Sequence, residues 1–283
     1  MKHLFRQVAI VGLGLIGGSL GMALRRGRLA GKVIGFTRRE ATLRKARARG
    51  AVDDGCTEFC PDWLGASDLV VIATPPLSVV PVARRIGRMT RHSFILTDVA
   101  STKGRIVRQM ERMLPDRIRF VGSHPMAGSE RSGVEAANPK LFERAACLLT
   151  PTPRTSREAL AKVSSLWRAV GGRVLLLRPA RHDALVAQIS HMPHLAAAAL
   201  ALSAEGRALP LAAGGFADTT RLALSDPSLW SEICLTNRRE ILAALSRFDR
   251  QMSGLRRLLL RGAGADLSRR LRAAQRKRRQ VKR

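Results

Sequence analysis

The first 180 residues alternate short apolar runs with amphipathic segments. The runs cover residues 8–11, 32–36, 69–73 and 93–97. They are almost continuously apolar, which is typical of strands buried on both faces of a parallel sheet. Helix-like segments over residues 41–49 and 79–89 lie between them. This alternation predicts an α/β fold with a doubly wound, Rossmann-type sheet.

The pattern changes near Pro179. Before it, strand-like runs at residues 120–121, 147–150 and 173–177 and a helix over 157–170 are expected to extend the same sheet. After it, Ala/Leu-rich segments have helical periodicity and no strand pattern. We predict three parts: an α/β domain over residues 1–178, an all-helical domain over 179–265, and a basic, disordered tail over 266–283.

A glycine-rich turn follows the first predicted strand and opens a helix. The spacing is Gly12-x-Gly14-x-x-Gly17. In that context Gly12 permits the tight turn, Gly14 lets the backbone approach a pyrophosphate, and Gly17 lets helix and strand pack closely. Leu15 and Ile16 lie in the first helical turn, where free amides and the helix dipole favour an anion. The turn predicts a dinucleotide cofactor.

The end of the second strand bears on cofactor choice. An NAD site usually has Asp or Glu there, which binds the ribose 2′-hydroxyl. This chain has Thr37, Arg38 and Arg39 instead, and Glu40 comes late. Arginines suit a 2′-phosphate through charge-assisted hydrogen bonds. The sequence therefore favours NADP, with NAD as the alternative if both arginines are only surface charges.

Polar motifs occur where other strands should end, which is where ligands bind in open α/β sheets. They are Thr74-Pro75, the segment 98–104 with Asp98 and Ser101, and the Gly/Pro-rich loop 122–130 with His124 and Glu130. The helical half adds residues 190–194 and 215–221. We interpret His191 as structural. Asp98 could simply cap a helix beginning near residue 102, and Arg221 could be a surface arginine.

Composition adds one unusual feature, the charge. The chain has 283 residues, with 50 Lys+Arg against 21 Asp+Glu, a net charge of +29. Such a chain either binds a polyanion or is an enzyme for anionic substrates. Nine of the residues 269–283 are basic, but none is aromatic, so a base-stacking surface is missing there. We expect no specific nucleic-acid partner.

Membrane and metal sites are not expected. Residues 8–24 carry no charge, but five glycines interrupt them, and we expect no other stretch to be long and apolar enough to span a bilayer. The four cysteines lack both C-x-x-C and zinc-ligand spacing. We expect free thiols, no metal and a cytoplasmic location.

Together, the motifs resemble the prephenate/arogenate (cyclohexadienyl) dehydrogenase family of tyrosine biosynthesis. The segments are VGLGLIGGSL, TDVASTKG, GSHPMAGSE, LFERAACLLTPT, SHMPH and GFADTTRLALSDPSLW, within about residues 5–260. The resemblance implies oxidative decarboxylation of prephenate or arogenate with NAD(P), and a homodimer formed through the helical domain. Thr37-Arg38-Arg39 looks more like the NADP-using members, with Thr74 and Pro75 also at the cofactor.

The resemblance also implies residue roles. His124 would accept the proton of the substrate's ring hydroxyl, and Ser101 would bond that hydroxyl or His124. Arg221 would hold a substrate carboxylate and His194 would contact the substrate side chain. Glu130 would gate access or pair with a basic group.

Two other classes of protein compete with this interpretation. A two-domain hydroxy-acid dehydrogenase of the 3-hydroxyisobutyrate type usually has a catalytic lysine in its second domain, but residues 179–275 contain no Lys. A basic nucleic-acid-binding protein is supported by net charge alone. The sequence leaves the choice between prephenate and arogenate open.

Overall fold

The computed structural model describes residues 3–281, and its centre is a six-stranded parallel sheet of order β3-β2-β1-β4-β5-β6. The strands are β1 (Phe5–Val11), β2 (Ala30–Phe36), β3 (Asp54–Cys56), β4 (Leu69–Ile72), β5 (Phe94–Asp98) and β6 (Ile118–Val121). The helices between them are α1 (Leu15–Arg26), α2 (Glu40–Ala48), α3 (Pro61–Gly65), α4 (Pro76–Met89) and α5 (Gly104–Met113). The predicted Rossmann-type sheet is confirmed, since this strand order is the dinucleotide-binding one.

The apolar runs form the middle of this sheet. All four residues of β4 are buried, as is β1 from Val8 to Val11. Side chains of alternate strand residues enter two cores, one on each face of the sheet. Burial on both faces explains why these strands lack the polar alternation of a half-exposed sheet.

A second, three-stranded sheet corrects one expectation. The strands β7 (Ser123–Pro125), β8 (Ala146–Leu149) and β9 (Arg173–Leu176) form their own sheet rather than extending the first, with α6 (Arg157–Ala169) between β8 and β9. The chain turns at Gly122, and β7 pairs antiparallel with β8. The apolar pattern identified most of these segments as strands, but it carries no information on their partners.

Helices follow β9. They are α7 (Pro179–Val186), α8 (Met192–Ser203), α9 (Gly214–Thr220) and α10 (Pro227–Thr236), with a π-turn over Ala187–His191 joining α7 to α8. Contacts divide the chain into units of residues 1–238 and 239–283, so these helices share a unit with both sheets. The predicted boundary at residues 178/179 falls where strands give way to helices.

The continuous helix Pro179–Ser203 contradicts the expectation that no later stretch could span a bilayer. Its 25 residues and mean hydropathy of 1.4 suffice by length and composition, and 28% of the relevant window is buried. The same test is passed by core helices of proteins that never enter a membrane. Here the first turns contain buried His182 and Asp183 and pack against α5.

The unit of residues 239–283 contains most of α11 (Arg238–Leu260) and α12 (Gly264–Arg279). Where we expected a disordered tail, residues 264–279 form a helix. Ala, Leu, Arg, Gln and Lys are all strong helix formers. Asp266 in the first turn pairs with Arg269 at 2.5 Å, and four basic residues in the last turn interact favourably with the helix dipole. Residues 282 and 283 lie outside the described residues.

Candidate active site

The glycine turn between β1 and α1 has the geometry that its spacing predicts. Gly12 has φ +100°, and its amide donates to the carbonyl of Phe36 at the end of β2 (2.8 Å). A Cβ on Gly17 would lie 1.9 Å from the Gly12 carbonyl oxygen, so helix and turn touch backbone to backbone. Only glycine is compatible with these contacts.

The space in front of this turn fits a dinucleotide. A Cβ on Gly14 would meet no atom within 4 Å, so the backbone faces open space at the start of α1. The first-turn amides, including those of Leu15 and Ile16, have no partners within the helix and are available to a pyrophosphate. Thr74, after β4, has a buried hydroxyl without a partner in the described chain, and Pro75 beside it is exposed.

The end of β2 presents positive charge without a carboxylate. Thr37 is partly exposed and its amide donates to the carbonyl of Cys56, which ties it to the end of β3. Arg38 and Arg39 are exposed and precede α2, whose first residue is Glu40. Neither arginine makes a salt bridge within residues 3–281, so both can turn toward an anionic ligand.

His124 lies on β7 and is the end member of a buried hydrogen-bonded chain. Its Nδ1 is 2.9 Å from Nε2 of His182, and His182 Nδ1 is 2.8 Å from Oδ1 of Asp183. The two imidazole rings meet edge to face. Burial lowers the pKa of His124 well below its usual value, and the neighbouring His182 and Lys103 lower it further. His124 is therefore neutral at physiological pH, as a proton acceptor must be.

Beneath His124 lies a buried ion pair. Lys103 and Asp98 are fully buried and hydrogen-bonded to each other, and Asp98 also accepts from the amides of Ala100 (3.1 Å) and Ser123 (3.3 Å). Burial raises the pKa of Asp98 and lowers that of Lys103, and their attraction opposes both shifts. The suggestion that Asp98 caps the next helix is wrong, because Asp98 ends β5 and pairs with a side chain instead.

Ser101 stands apart from the hydrogen-bonded chain. It is partly exposed in the loop between β5 and α5, and its hydroxyl makes no hydrogen bond within residues 3–281. Of the two bonds that the resemblance implied, the one to His124 is not formed within residues 3–281, where His124 Nδ1 is bonded to His182, and the one to the substrate hydroxyl stays a prediction. A hydroxyl without a protein partner remains available to a substrate.

The helical half places three aromatic rings together. His194 is mostly buried and stacks on Trp230, with ring centroids 3.5 Å apart and planes within 9°. His191 meets the same indole edge-on at 6.0 Å. Asn237 is within hydrogen-bond distance of His191 Nδ1 (3.1 Å) and donates to the Asp183 carbonyl (2.9 Å). These contacts give His191 a structural role. Within residues 3–281, its Nε2 and the Nδ1 of His194 are buried without a hydrogen-bond partner.

Arg221 and Glu130 form an exposed pair at 3.1 Å. Arg221 follows α9, and Glu130 lies six residues after His124 in the loop after β7. The guanidinium group is thus tied to the loop that follows the strand of the candidate base. Side chains more than 90 residues apart in sequence converge here, and both were candidates from the sequence.

His182, Asp183 and Asn237 were not identified from the sequence. His182 and Asp183 are adjacent on α7, where the periodicity indicates only the start of a helix. One signal was present: the adjacent His182 and Asp183 directly precede an apolar run over residues 184–187. Across residues 3–281, no group of three or more His, Cys, Asp or Glu could hold a metal ion.

Three features define the class of protein. They are the dinucleotide-binding turn, the buried neutral His124, and the exposed Arg221 that is paired with Glu130. This is an NAD(P)-dependent oxidoreductase that acts on a small anionic molecule. Two family descriptions match consecutive parts of the chain: "Prephenate dehydrogenase, nucleotide-binding domain" over residues 20–176, and "Prephenate dehydrogenase, dimerization domain" over residues 178–273. The second description implies a homodimer.

Individual proteins agree with these matches. The prephenate dehydrogenase of Bacillus subtilis is 34% identical over 263 residues, which are 90% of this chain and 71% of that protein. The crystal structure of prephenate dehydrogenase from A. aeolicus with hydroxyphenyl propionate and NAD+ superimposes with a TM-score of 0.91 at 33% identity, covering 98% of both chains. Synechocystis arogenate dehydrogenase gives a TM-score of 0.81 at 32% identity, covering 96% of this chain and 98% of that one.

The chain therefore belongs to the prephenate/arogenate dehydrogenase family, the NAD(P)-dependent oxidoreductases of tyrosine biosynthesis. This confirms the family that the sequence motifs indicated. It also decides against the hydroxy-acid dehydrogenase and nucleic-acid-binding alternatives.

Proposed function

We propose that this enzyme oxidises and decarboxylates prephenate, arogenate or both, with His124 as the proton acceptor and NADP as the preferred cofactor. The main support is the environment of His124, which is buried, neutral and hydrogen-bonded through a single nitrogen. Glu130, six residues further along the chain, pairs with Arg221. The candidate base is thus on a strand whose following loop is bonded to the candidate carboxylate-binding group.

The chemistry follows from the substrate. It is a cyclohexadienol with a carboxylate at C1 and a hydroxyl at C4. A nicotinamide cofactor held at the glycine turn would supply the acceptor for the hydride that leaves C4. His124 takes the hydroxyl proton, which leaves a ketone conjugated to C1. The bond from C1 to the carboxylate then breaks, CO2 leaves, and the electron pair aromatises the ring as the oxygen regains a proton. Aromatisation drives the step, so the proposal needs no metal.

The remaining residues bind and orient. Arg221 holds a substrate carboxylate, since a guanidinium group is a planar bidentate donor. His194 contacts the substrate side chain next to Trp230, and Ser101 donates to the C4 hydroxyl oxygen. Glu130 holds Arg221 in place and releases it to the substrate. The location is proposed as cytoplasmic, in keeping with free thiols at all four cysteines.

The preference for NADP depends on Arg38 and Arg39. Changing both to alanine is expected to weaken NADP binding by roughly 10- to 100-fold, because one or two charge-assisted hydrogen bonds contribute about 1.5–3 kcal/mol. NAD binding should stay within about threefold, since NAD lacks the 2′-phosphate. Fluorescence titration with each cofactor measures both affinities.

Arg44→Ala is the control, because Arg44 is exposed on α2 and likewise makes no salt bridge within residues 3–281. It removes one positive charge, whereas the double variant removes two, and should leave both affinities unchanged. Equal loss of NADP and NAD binding in the double variant would contradict the NADP preference.

Arg221→Ala is expected to raise KM by about 10- to 100-fold, with a much smaller change in kcat, because it removes a charge-assisted contact made in both ground and transition states. Arg207→Ala is the control, since that arginine is almost fully exposed and its one salt bridge among the described residues, to Glu205, is long at 3.9 Å. Initial rates over a substrate range separate the two parameters. An unchanged KM in the Arg221 variant would remove the residue from the substrate site.

The helical region is proposed as the dimer interface, through the apolar faces of residues 195–202 and 241–245. Within these stretches Leu202 is 87% exposed and Leu242 is 51% exposed, and such apolar area is typically covered by a partner. Light scattering should give about twice the chain mass of 30.9 kDa. A monomer at micromolar concentration would contradict the interface.

A further inference from the structure

The hydrogen bonds of the buried chain His124–His182–Asp183 determine which ring nitrogen of each histidine is protonated. Asp183 has three donors around its carboxylate. The backbone amides of Lys103 and Gly104, at the first turn of α5, donate to Oδ1 and Oδ2, each at 2.8 Å. The third partner is His182 Nδ1, at 2.8 Å from Oδ1. Asp183 therefore lies at the N-terminus of a ten-residue helix, which favours its charged form.

Asp183 stays ionised in this setting. Burial acts to raise its pKa, but the hydrogen bonds from His182 and from the two amides outweigh burial, and its pKa is below the ordinary value. An ionised carboxylate only accepts hydrogen bonds. The nitrogen facing it, His182 Nδ1, must therefore carry a proton.

The proton on His182 Nδ1 determines where the proton of His124 lies. Burial lowers the pKa of His182, so the ring is neutral and has one N–H. With the proton on Nδ1, its Nε2 can only accept. The group facing it at 2.9 Å is His124 Nδ1, which must then be the donor. Since His124 is also neutral, its own Nε2 has a free lone pair.

We propose that His182 and Asp183 are positioning residues that hold His124 in the tautomer with Nδ1 protonated and Nε2 free to accept the substrate's hydroxyl proton. The proposal rests on the assigned role of His124 and deepens it. When Nε2 takes the proton, Nδ1–H keeps its bond to His182, and the Asp183 charge lies one ring away from the new imidazolium. The proton returns from Nε2 to the oxygen once CO2 has left.

Other charges near His124 do not favour the opposite tautomer. Lys103 lowers the pKa of both His124 and His182, which helps to keep the two rings neutral, and its Nζ is hydrogen-bonded to Asp98. His191, on the π-turn, has its Nδ1 facing Asn237 and a pKa lowered to about 4, chiefly by burial, so it is neutral as well. Among residues 3–281, Asp183 is the charged side chain that is hydrogen-bonded directly to one of the two imidazoles.

The most direct test is the tautomer of His124 in the wild-type enzyme. Histidine labelled with 15N and observed by NMR near pH 7 distinguishes protonated from free ring nitrogens, and the spectrum of His124→Gln assigns the signals. The expected result is an N–H at Nδ1 and a free Nε2. A proton on Nε2 in the wild-type protein would overturn the proposal.

Two variants of His182 test the consequence for catalysis while Asp183 stays in place to cap α5. His182→Leu removes the acceptor of the His124 N–H, and we expect kcat to fall about 100-fold from misorientation of the base. His182→Gln offers an amide oxygen to the same N–H and should recover about tenfold of that loss. KM and the Kd for NADP should stay within about threefold of wild type in both.

The outcomes are separable. Wild-type turnover in the leucine variant, or a glutamine variant no better than leucine, would reduce His182 to a packing residue. If both variants fail to fold, the tautomer of His124 in the wild-type enzyme still tests the proposal. An enzyme that shows the expected tautomer but oxidises neither prephenate nor arogenate would disprove the proposed function and leave the tautomer assignment intact.

Discussion

Replacing His124 with asparagine is expected to lower kcat by about 10²–10⁴-fold, the usual contribution of a positioned general base. The side chain is 7% exposed, and its known protein contact is through Nδ1. Asparagine retains a donor for His182 but has no basic nitrogen. The loss should therefore fall on the chemical step, while KM and cofactor affinity change little.

His92→Asn is a suitable control, because His92 is exposed in the same α/β half of the chain. Both variants should have thermal unfolding midpoints close to wild type. Steady-state rates at saturating cofactor give the comparison. Turnover of His124→Asn within about threefold of wild type would exclude His124 as the base, because a threefold loss is far smaller than the contribution of a general base.

The second large effect concerns the glycine turn, where two neighbouring substitutions should fail in different ways. In Gly17→Ala the new methyl group would lie 1.9 Å from the Gly12 carbonyl oxygen and 3.1 Å from Ala73 Cβ. Alanine gains about 1 kcal/mol of helix propensity over glycine. A clash with backbone costs more than that, typically about 1–3 kcal/mol or above. We expect a lower unfolding midpoint and loss of cofactor binding.

Gly14→Ala should keep its stability, because the methyl group would enter open space. That space is the proposed approach of the pyrophosphate, so NADP affinity should fall by roughly tenfold or more, at least about 1.4 kcal/mol. Thermal unfolding without ligand and fluorescence titration with NADP separate the two effects. Full NADP affinity in Gly14→Ala would move the cofactor away from this turn.

Much of the first half of the fold could be predicted from the sequence because doubly buried strands leave a strong pattern. The three-residue strand β3 was missed, since Asp54-Gly55-Cys56 has no apolar run and pairs only along its backbone with β2. The second sheet was misassigned for another reason: strand pattern predicts burial, whereas pairing depends on the turn at Gly122 and on contacts distant in sequence.

The parts of the site whose residues are close together in the sequence could be predicted. The glycine turn and the loop around His124 are short motifs with a mechanical reason for each residue. The relation of His124 to His182 and Asp183 spans 58 residues and depends on α7 packing against α5, which periodicity does not describe. Ser101 is the opposite case, since it lies in a short motif but its hydroxyl has no hydrogen-bond partner within residues 3–281.

The measurement that tests the account most directly is the absorbance of reduced nicotinamide with purified protein in four combinations. Prephenate and arogenate are each supplied with NAD or NADP. The account predicts reduction with at least one substrate, faster with NADP than with NAD at equal concentration, and release of CO2 in equal amount. No reduction in any combination, by folded protein that binds the cofactor, would contradict it.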